Sequence, residues 1–169
     1  MKKTITIMIT FFSTFFGCGG KKQLDTNTIY PIESFSVVEA TLDNKPIIGS
    51  INLAYNDYFN KDKYPWCLKI AIGLELENLF ENGLPKSKES QIANKLEDEL
   101  LKEIKNITTA HYIGHLFFDS FLDVYIYLNE PDKVHNYLQT QINKEGLIRG
   151  FGYEIFEDPE WKTVENFLK

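Results

Sequence analysis

Residues 66–74 read WCLKIAIGL. Trp66, Leu68, Ile70, Ile72 and Leu74 fall on one side of an extended chain, and Cys67, Lys69, Ala71 and Gly73 on the other. The alternation gives a strand with one core face and one small or polar face. Immediately downstream, residues 87–106, SKESQIANKLEDELLKEIKN, carry a different period. Ile92, Leu96, Leu100 and Ile104 recur every four residues, with Leu101 beside them, so this segment is a helix with one buried stripe and one charged face. Ser87 is the expected cap, and Glu89 sits well near the positive helix end.

Two further strands follow, TAHYIGHLFF (109–118) and FLDVYIYLN (121–129), joined near Asp119-Ser120. PDKVHNYLQTQINKEG (131–146) is a second helix with Pro131 in its first turn, a stripe of Val134, Tyr137, Leu138 and Ile142, and Gly146 at its end. RGFGYEIFE (149–157) is a last strand. Asp158, Pro159 and Glu160 then have the cap and first-turn chemistry of a short final helix. Upstream, residues 33–55 hold two β-rich runs split by Leu42-Asp43-Asn44-Lys45, a hairpin signal. The expected fold is α+β: a ferredoxin-like split-βαβ sandwich, βαββαβ, with an N-terminal β-hairpin and a short C-terminal helix. Right-handed crossovers put both helices on one face of its sheet.

The chain begins MKKTITIMITFFSTFFGCGGKKQ. Lys2 and Lys3 precede an uncharged run, Thr4 to Phe16, that is too short to span a bilayer and suits a secretory leader. Gly17 before Cys18 resembles the lipobox of bacterial lipoproteins, with Phe15 where leucine is usual. That resemblance implies diacylglycerol on the Cys18 thiol and cleavage before it. Residues 1–17 are then the leader, 18–32 a lipidated tether, and 33–169 one folded domain. The implied location is the exported side of a cell-envelope membrane.

The 169 residues carry a formal net charge of −6, which disfavours nucleic acid as a partner. Of the two cysteines, Cys18 is assigned to lipid, so Cys67 has no intrachain partner and fits a small buried hydrophobe. Hydrophobic residues at 43% and aromatics at 14% suffice for a packed core without a disulfide.

DVYIYLNEPDKV (123–134) and GYEIFEDPEWKTVENFL (152–168) resemble the bacterial domain-of-unknown-function family 695, whose members tend to show an aromatic-rich strand of this kind and a final Asp-Pro-Glu-Trp. The resemblance covers about residues 33–169, with Asp158, Pro159, Glu160 and Trp161 matching best. It implies no activity. Some relatives are joined to a domain similar to a binding inhibitor of ribonuclease E, which hints at protein binding.

No stretch specifies a reaction. His111 and His115 would share a strand face about 13 Å apart at roughly 3.3 Å per residue, too far for one ion, so neither metal nor cofactor is expected. Asp158, Pro159 and Trp161 read as structural, with Trp161 pinning the final helix. The sheet face opposite the helices offers Tyr125, Tyr127, His111 and His115 as an exposed patch for an envelope protein; the bland alternative is an extra layer that covers it. The expected function is therefore a membrane-anchored, non-catalytic protein-binding module. The alternative is a hydrolytic enzyme acting on an envelope substrate, its site not identifiable.

Overall fold

The computed structural model describes residues 6–7 and 29–169. The elements are β1 (Thr6–Ile7), β2 (Phe35–Leu42), β3 (Lys45–Asn52), β4 (Trp66–Gly73), α1 (Ser87–Ile107), β5 (Ala110–Phe118), β6 (Phe121–Leu128), α2 (Pro131–Gln141) and β7 (Phe151–Glu157). Residues 1–5 and 8–28 of the expected leader and tether, Lys2, Lys3 and Cys18 among them, lie outside the described residues. The chain is α+β, with one antiparallel sheet in the order β1-β2-β3-β5-β6-β4-β7. Six strands make the body of the sheet; β1 adds two backbone pairings, Thr6 with Thr41 and Ile7 with Ala40.

Local chemistry explains the two tight turns. Asp43 and Asn44 both have positive φ, 51° and 64°, and so do Asp119 and Ser120, 47° and 71°. Two left-handed residues in succession match the right-handed twist of the flanking strands. Lys45 Nζ reaches Asp119 Oδ1 at 2.6 Å and ties the β2–β3 turn to the β5–β6 turn.

The sheet carries a core on each side. On one face α1 and α2 cover Leu68, Ile70, Ile72, Leu122, Val124, Ile126 and Leu128 with Ala93, Leu96, Leu100, Ile104, Val134 and Leu138. On the other, residues 53–64 and 158–168 lay Tyr55, Tyr58, Tyr64, Trp161, Val164 and Leu168 over Cys67, Ile113, Leu116, Tyr125 and Tyr127. The sheet is thus the middle of three layers. Cys67 is fully buried, and burial pushes its thiol up to about 12, so it is protonated and inert at neutral pH.

Three element-level expectations are corrected. Ser87 is the first helical residue of α1; Lys86 occupies the cap and makes no side-chain cap bond. The second helix stops at Gln141, and residues 142–146 are turns. The final segment is a chain of turns and not a helix: Trp161, Val164, Glu165 and Phe167 each donate three residues back. Trp161 has φ of 57°, which breaks a right-handed helix at that residue.

Candidate functional site

The expected exposed patch is absent, and its members lie on both sides of the sheet. His111 and Tyr127 have no exposed surface and Tyr125 is 8% exposed, all beneath the outer layer. Tyr127 stacks on Trp161 with ring centroids 4.1 Å apart. Its hydroxyl donates to Asp158 Oδ2 at 2.6 Å, while Asp158 also accepts from the backbone N–H groups of Lys162 and Thr163. Burial raises the Asp158 carboxyl, but these donors, Tyr127 first, outweigh it and hold the group below its ordinary value. Trp161 is 1% exposed and its Nε1 donates to the Tyr64 carbonyl. Pro159 is exposed beside it.

His111 and His115 point to opposite faces because β5 carries a bulge. Pairing with β6 jumps from Tyr112–Ile126 to Gly114–Tyr125, which shifts the side-chain alternation by one residue. Two glycines permit it. A Cβ on Gly114 would lie 2.1 Å from the Ser50 carbonyl oxygen, and one on Gly49 2.0 Å from that of His115. Gly114 also has φ of 144°, outside the range of L-residues.

On the helix side, β2 and β3 extend beyond the layer that α1 and α2 provide. An open groove of about 540 Å³ remains there, between the sheet, the start of α1 and the 79–85 loop. Ile48 and Phe117 line it with Val37, Phe80, Leu84 and His115. Val37 is 56% and Phe80 57% exposed. Phe35 continues the same β2 face, its ring 6.0 Å from that of Tyr112.

The polar end of this groove is a buried cluster. His115 Nδ1 lies 2.8 and 3.0 Å from the two carboxylate oxygens of Glu97. The Tyr112 hydroxyl donates to Glu97 Oε1 at 2.6 Å and lies 3.1 Å from His115 Nδ1. Glu97 is 4% exposed and the His115 side chain 15%. Burial, then the Glu97 charge, pushes the Tyr112 hydroxyl far above its ordinary value. Hydrogen bonding of Nδ1 to a carboxylate fixes the proton on Nδ1 in the neutral ring and leaves a lone pair on Nε2.

A family model matches residues 33–169, that of the family of unknown function DUF695. The chain belongs to family DUF695. No curated protein and no solved structure matches it. The DUF695 match spans both cores, the groove and the Glu97–Tyr112–His115 cluster, so the groove is part of the DUF695 domain.

A second buried acid in this DUF695 domain has a structural partner. Glu89 receives Arg149 Nε at 2.7 Å and Nη2 at 2.6 Å, the backbone N–H of Glu75 at 2.9 Å and Asn78 Nδ2 at 3.2 Å. Arg149 above all lowers its carboxyl to about 2. This pair locks α1 to the chain before β7. Glu97 differs in that its partner, His115, opens onto the groove.

Glu97, Phe80 and Val37 were not legible as site residues. Glu97 lies in a charged run that reads as solvated, yet it falls in the buried stripe Glu89, Ala93, Leu96, Glu97, Leu100, Ile104. The signal available was that position, together with Gly114 between the two histidines.

Proposed function

We propose that this DUF695 chain is a non-catalytic binding module, anchored to the exported side of an envelope membrane by lipid on Cys18, that holds an extended apolar segment of another envelope protein. The binding surface is the helix-side groove. The observation that carries the reading is the exposed apolar strip Phe35, Val37 and Phe80 above a floor of Ile48 and Phe117, on a sheet face left bare. An extended occupant suits it because β2 flanks the groove, and on the outer edge of β2 the chain's own Thr6–Ile7 pairs as a strand. The Lys2-Lys3 start, the apolar run and Gly17-Cys18 support the anchor. No helix among the described residues is long and apolar enough to cross a membrane. The order β5-β6-β4-β7, with both helices on one face, supports a ferredoxin-like sandwich to which the β2–β3 hairpin is added.

Photo-crosslinking in intact cells tests the binding surface. A crosslinking side chain at Val37 or Phe80 is expected to trap one envelope protein, and Phe80→Arg with the crosslinker at Val37 to lose it. No adduct at either position, or equal adducts from Glu103 on the far side of α1, contradicts the proposal.

One observation favours the hydrolase as a second reading. Ser50 and His115 are directly paired across β3 and β5 and both line the groove, while Glu97 holds the ring. A fluorophosphonate that labels wild-type protein but not Ser50→Ala would establish it; an unlabelled wild-type protein would dismiss it.

A further inference from the structure

We infer that β2 pairs edge to edge with β2 of a second copy once the leader is removed, so that the groove is one half of a site that two copies build. The inference rests on the anchor and groove readings above and deepens them by naming what stands on the open side of the groove.

The hydrogen-bond phase of β2 shows which backbone groups face outward. Leu53 N–H donates to the Ser34 carbonyl at one end of the β2–β3 ladder, and Leu42 and Lys45 flank the two-residue turn at the other. Bonded pairs alternate along an antiparallel ladder. Ser36, Val38, Ala40 and Leu42 therefore bond to β3, while Phe35, Val37, Glu39 and Thr41 turn their N–H and C=O groups to the outer edge. Among the described residues only Ala40 and Thr41 meet a strand there, at Ile7 and Thr6. Those two belong to the leader, and cleavage before Cys18 takes them away. The edge left behind has none of the devices that blunt an edge strand. Its 8 residues run in unbroken register on β3, without proline or lysine and with one charge, Glu39.

This edge is complementary to itself. A twofold axis at Val37 sets it against Val37 of the second copy, and sets Phe35 against Glu39 of the second copy. All three bond outward, so each pair exchanges both of its hydrogen bonds. The two Glu39 carboxylates then lie four residues apart along the seam, about 13 Å, which exceeds a Debye length of about 8 Å at physiological salt. Tethering both copies to one membrane raises their effective concentration. The axis is normal to the sheet, so both helical layers lie on the same side. Val37 is the groove residue that β2 supplies. The two grooves therefore open onto each other across the seam, which uses the Val37 backbone and leaves its side chain on the groove face.

The test is disulfide formation in isolated envelopes carrying the processed, lipidated chain, with copper phenanthroline as oxidant. Cys18 holds the lipid, and Cys67 is fully buried and does not compete. Val37→Cys is expected to give a dimer of this chain, and Glu103→Cys on the far side of α1 to give none. Phe35→Cys and Glu39→Cys chains with different tags, expressed together, should join to each other, whereas Phe35→Cys should not join to itself. Val37→Pro in both chains removes an outward N–H that β3 does not use; it should abolish the mixed disulfide and leave the thermal midpoint nearly unchanged. No dimer from Val37→Cys, as much disulfide from Phe35→Cys alone as from the mixed pair, or a mixed disulfide that survives Val37→Pro overturns the inference. The groove reading is judged separately by the crosslinker at Phe80. An envelope-protein adduct there without any β2 disulfide sinks this inference alone, and a β2 disulfide without that adduct sinks the groove reading and leaves the pairing standing.

Discussion

His111 is a neutral imidazole enclosed by the rings of Tyr30, Tyr55, Tyr58, Tyr64 and Trp161, with centroids between 4.0 and 6.1 Å away. Its Nδ1 lies 3.2 Å from the Tyr55 hydroxyl, and its Nε2 is buried without a partner among the described residues. Burial, and to a lesser degree Lys105, lowers its pKa to about 4 from an ordinary 6.5. The unfolded chain therefore binds a proton that the folded chain refuses between those values. Stability supplied by this site is complete above pH 6.5 and is lost as the pH falls toward 4. His111→Phe should remove that dependence, so that urea-unfolding stability falls less steeply from pH 6.5 to 4.5 than in wild type; parallel curves would show that His111 is not the titrating group. Trp161→Ala should cost about 3–5 kcal/mol, read from the urea midpoint, because it empties the centre of the outer core. At this scale the sequence was partly legible. The aromatic residues and Trp161 announced a core, but alternation alone could not show which sheet face a second layer would cover. Glu89 and Glu97 were hidden because a buried carboxylate and a solvated one look alike until Arg149 and His115, distant in sequence, are seen beside them.

The elements depend on a few positions where sequence and backbone must agree. Gly114 sets the bulge that turns His115 toward α1, and its missing Cβ admits the Ser50 carbonyl. Gly114→Ala is expected to be among the most destabilising single changes, lowering the thermal midpoint by well over 5 °C through strain and displaced β3–β5 pairing; an unshifted midpoint would contradict the bulge. Glu89 ties α1 to Arg149 with its carboxyl held near 2. That contribution is present above the ordinary carboxylate value of 4.5 and is lost as the pH falls toward 2. Glu89→Gln should cost about 3 kcal/mol at pH 7 by leaving Arg149 without its charge partner, and the difference from wild type should shrink in urea titrations near pH 3. The hairpin, β4 and α1 were legible because each has a clean period and a turn or helix signal of its own. The bulge was not, because one extra residue changes the side-chain phase without changing the strand's composition. The final helix was misread because Asp158-Pro159-Glu160 has helix-start chemistry, whereas Trp161 turns back at positive φ to bury its ring.

For the molecule as a whole, a core packs on each sheet face, and Phe35, Val37 and Phe80 stay exposed where β2 and β3 outreach the helices. The antiparallel frame followed from strand order and length, while the bare strip depended on how far α1 and α2 reach across the sheet, a tertiary quantity that periodicity does not encode. The proposed anchor makes its own prediction: Cys18→Ser should move the protein from the membrane to the soluble fraction and abolish labelling by radioactive palmitate. Hydroxyl-radical footprinting tests the central claim most directly, comparing purified protein with the protein in isolated envelopes. Phe35, Val37 and Phe80 should oxidise readily when purified and be protected in envelopes, while Tyr125, Tyr127 and Trp161 stay protected in both. Unchanged oxidation of the groove residues, or protection gained instead at Tyr125 and Tyr127, would place the binding surface elsewhere.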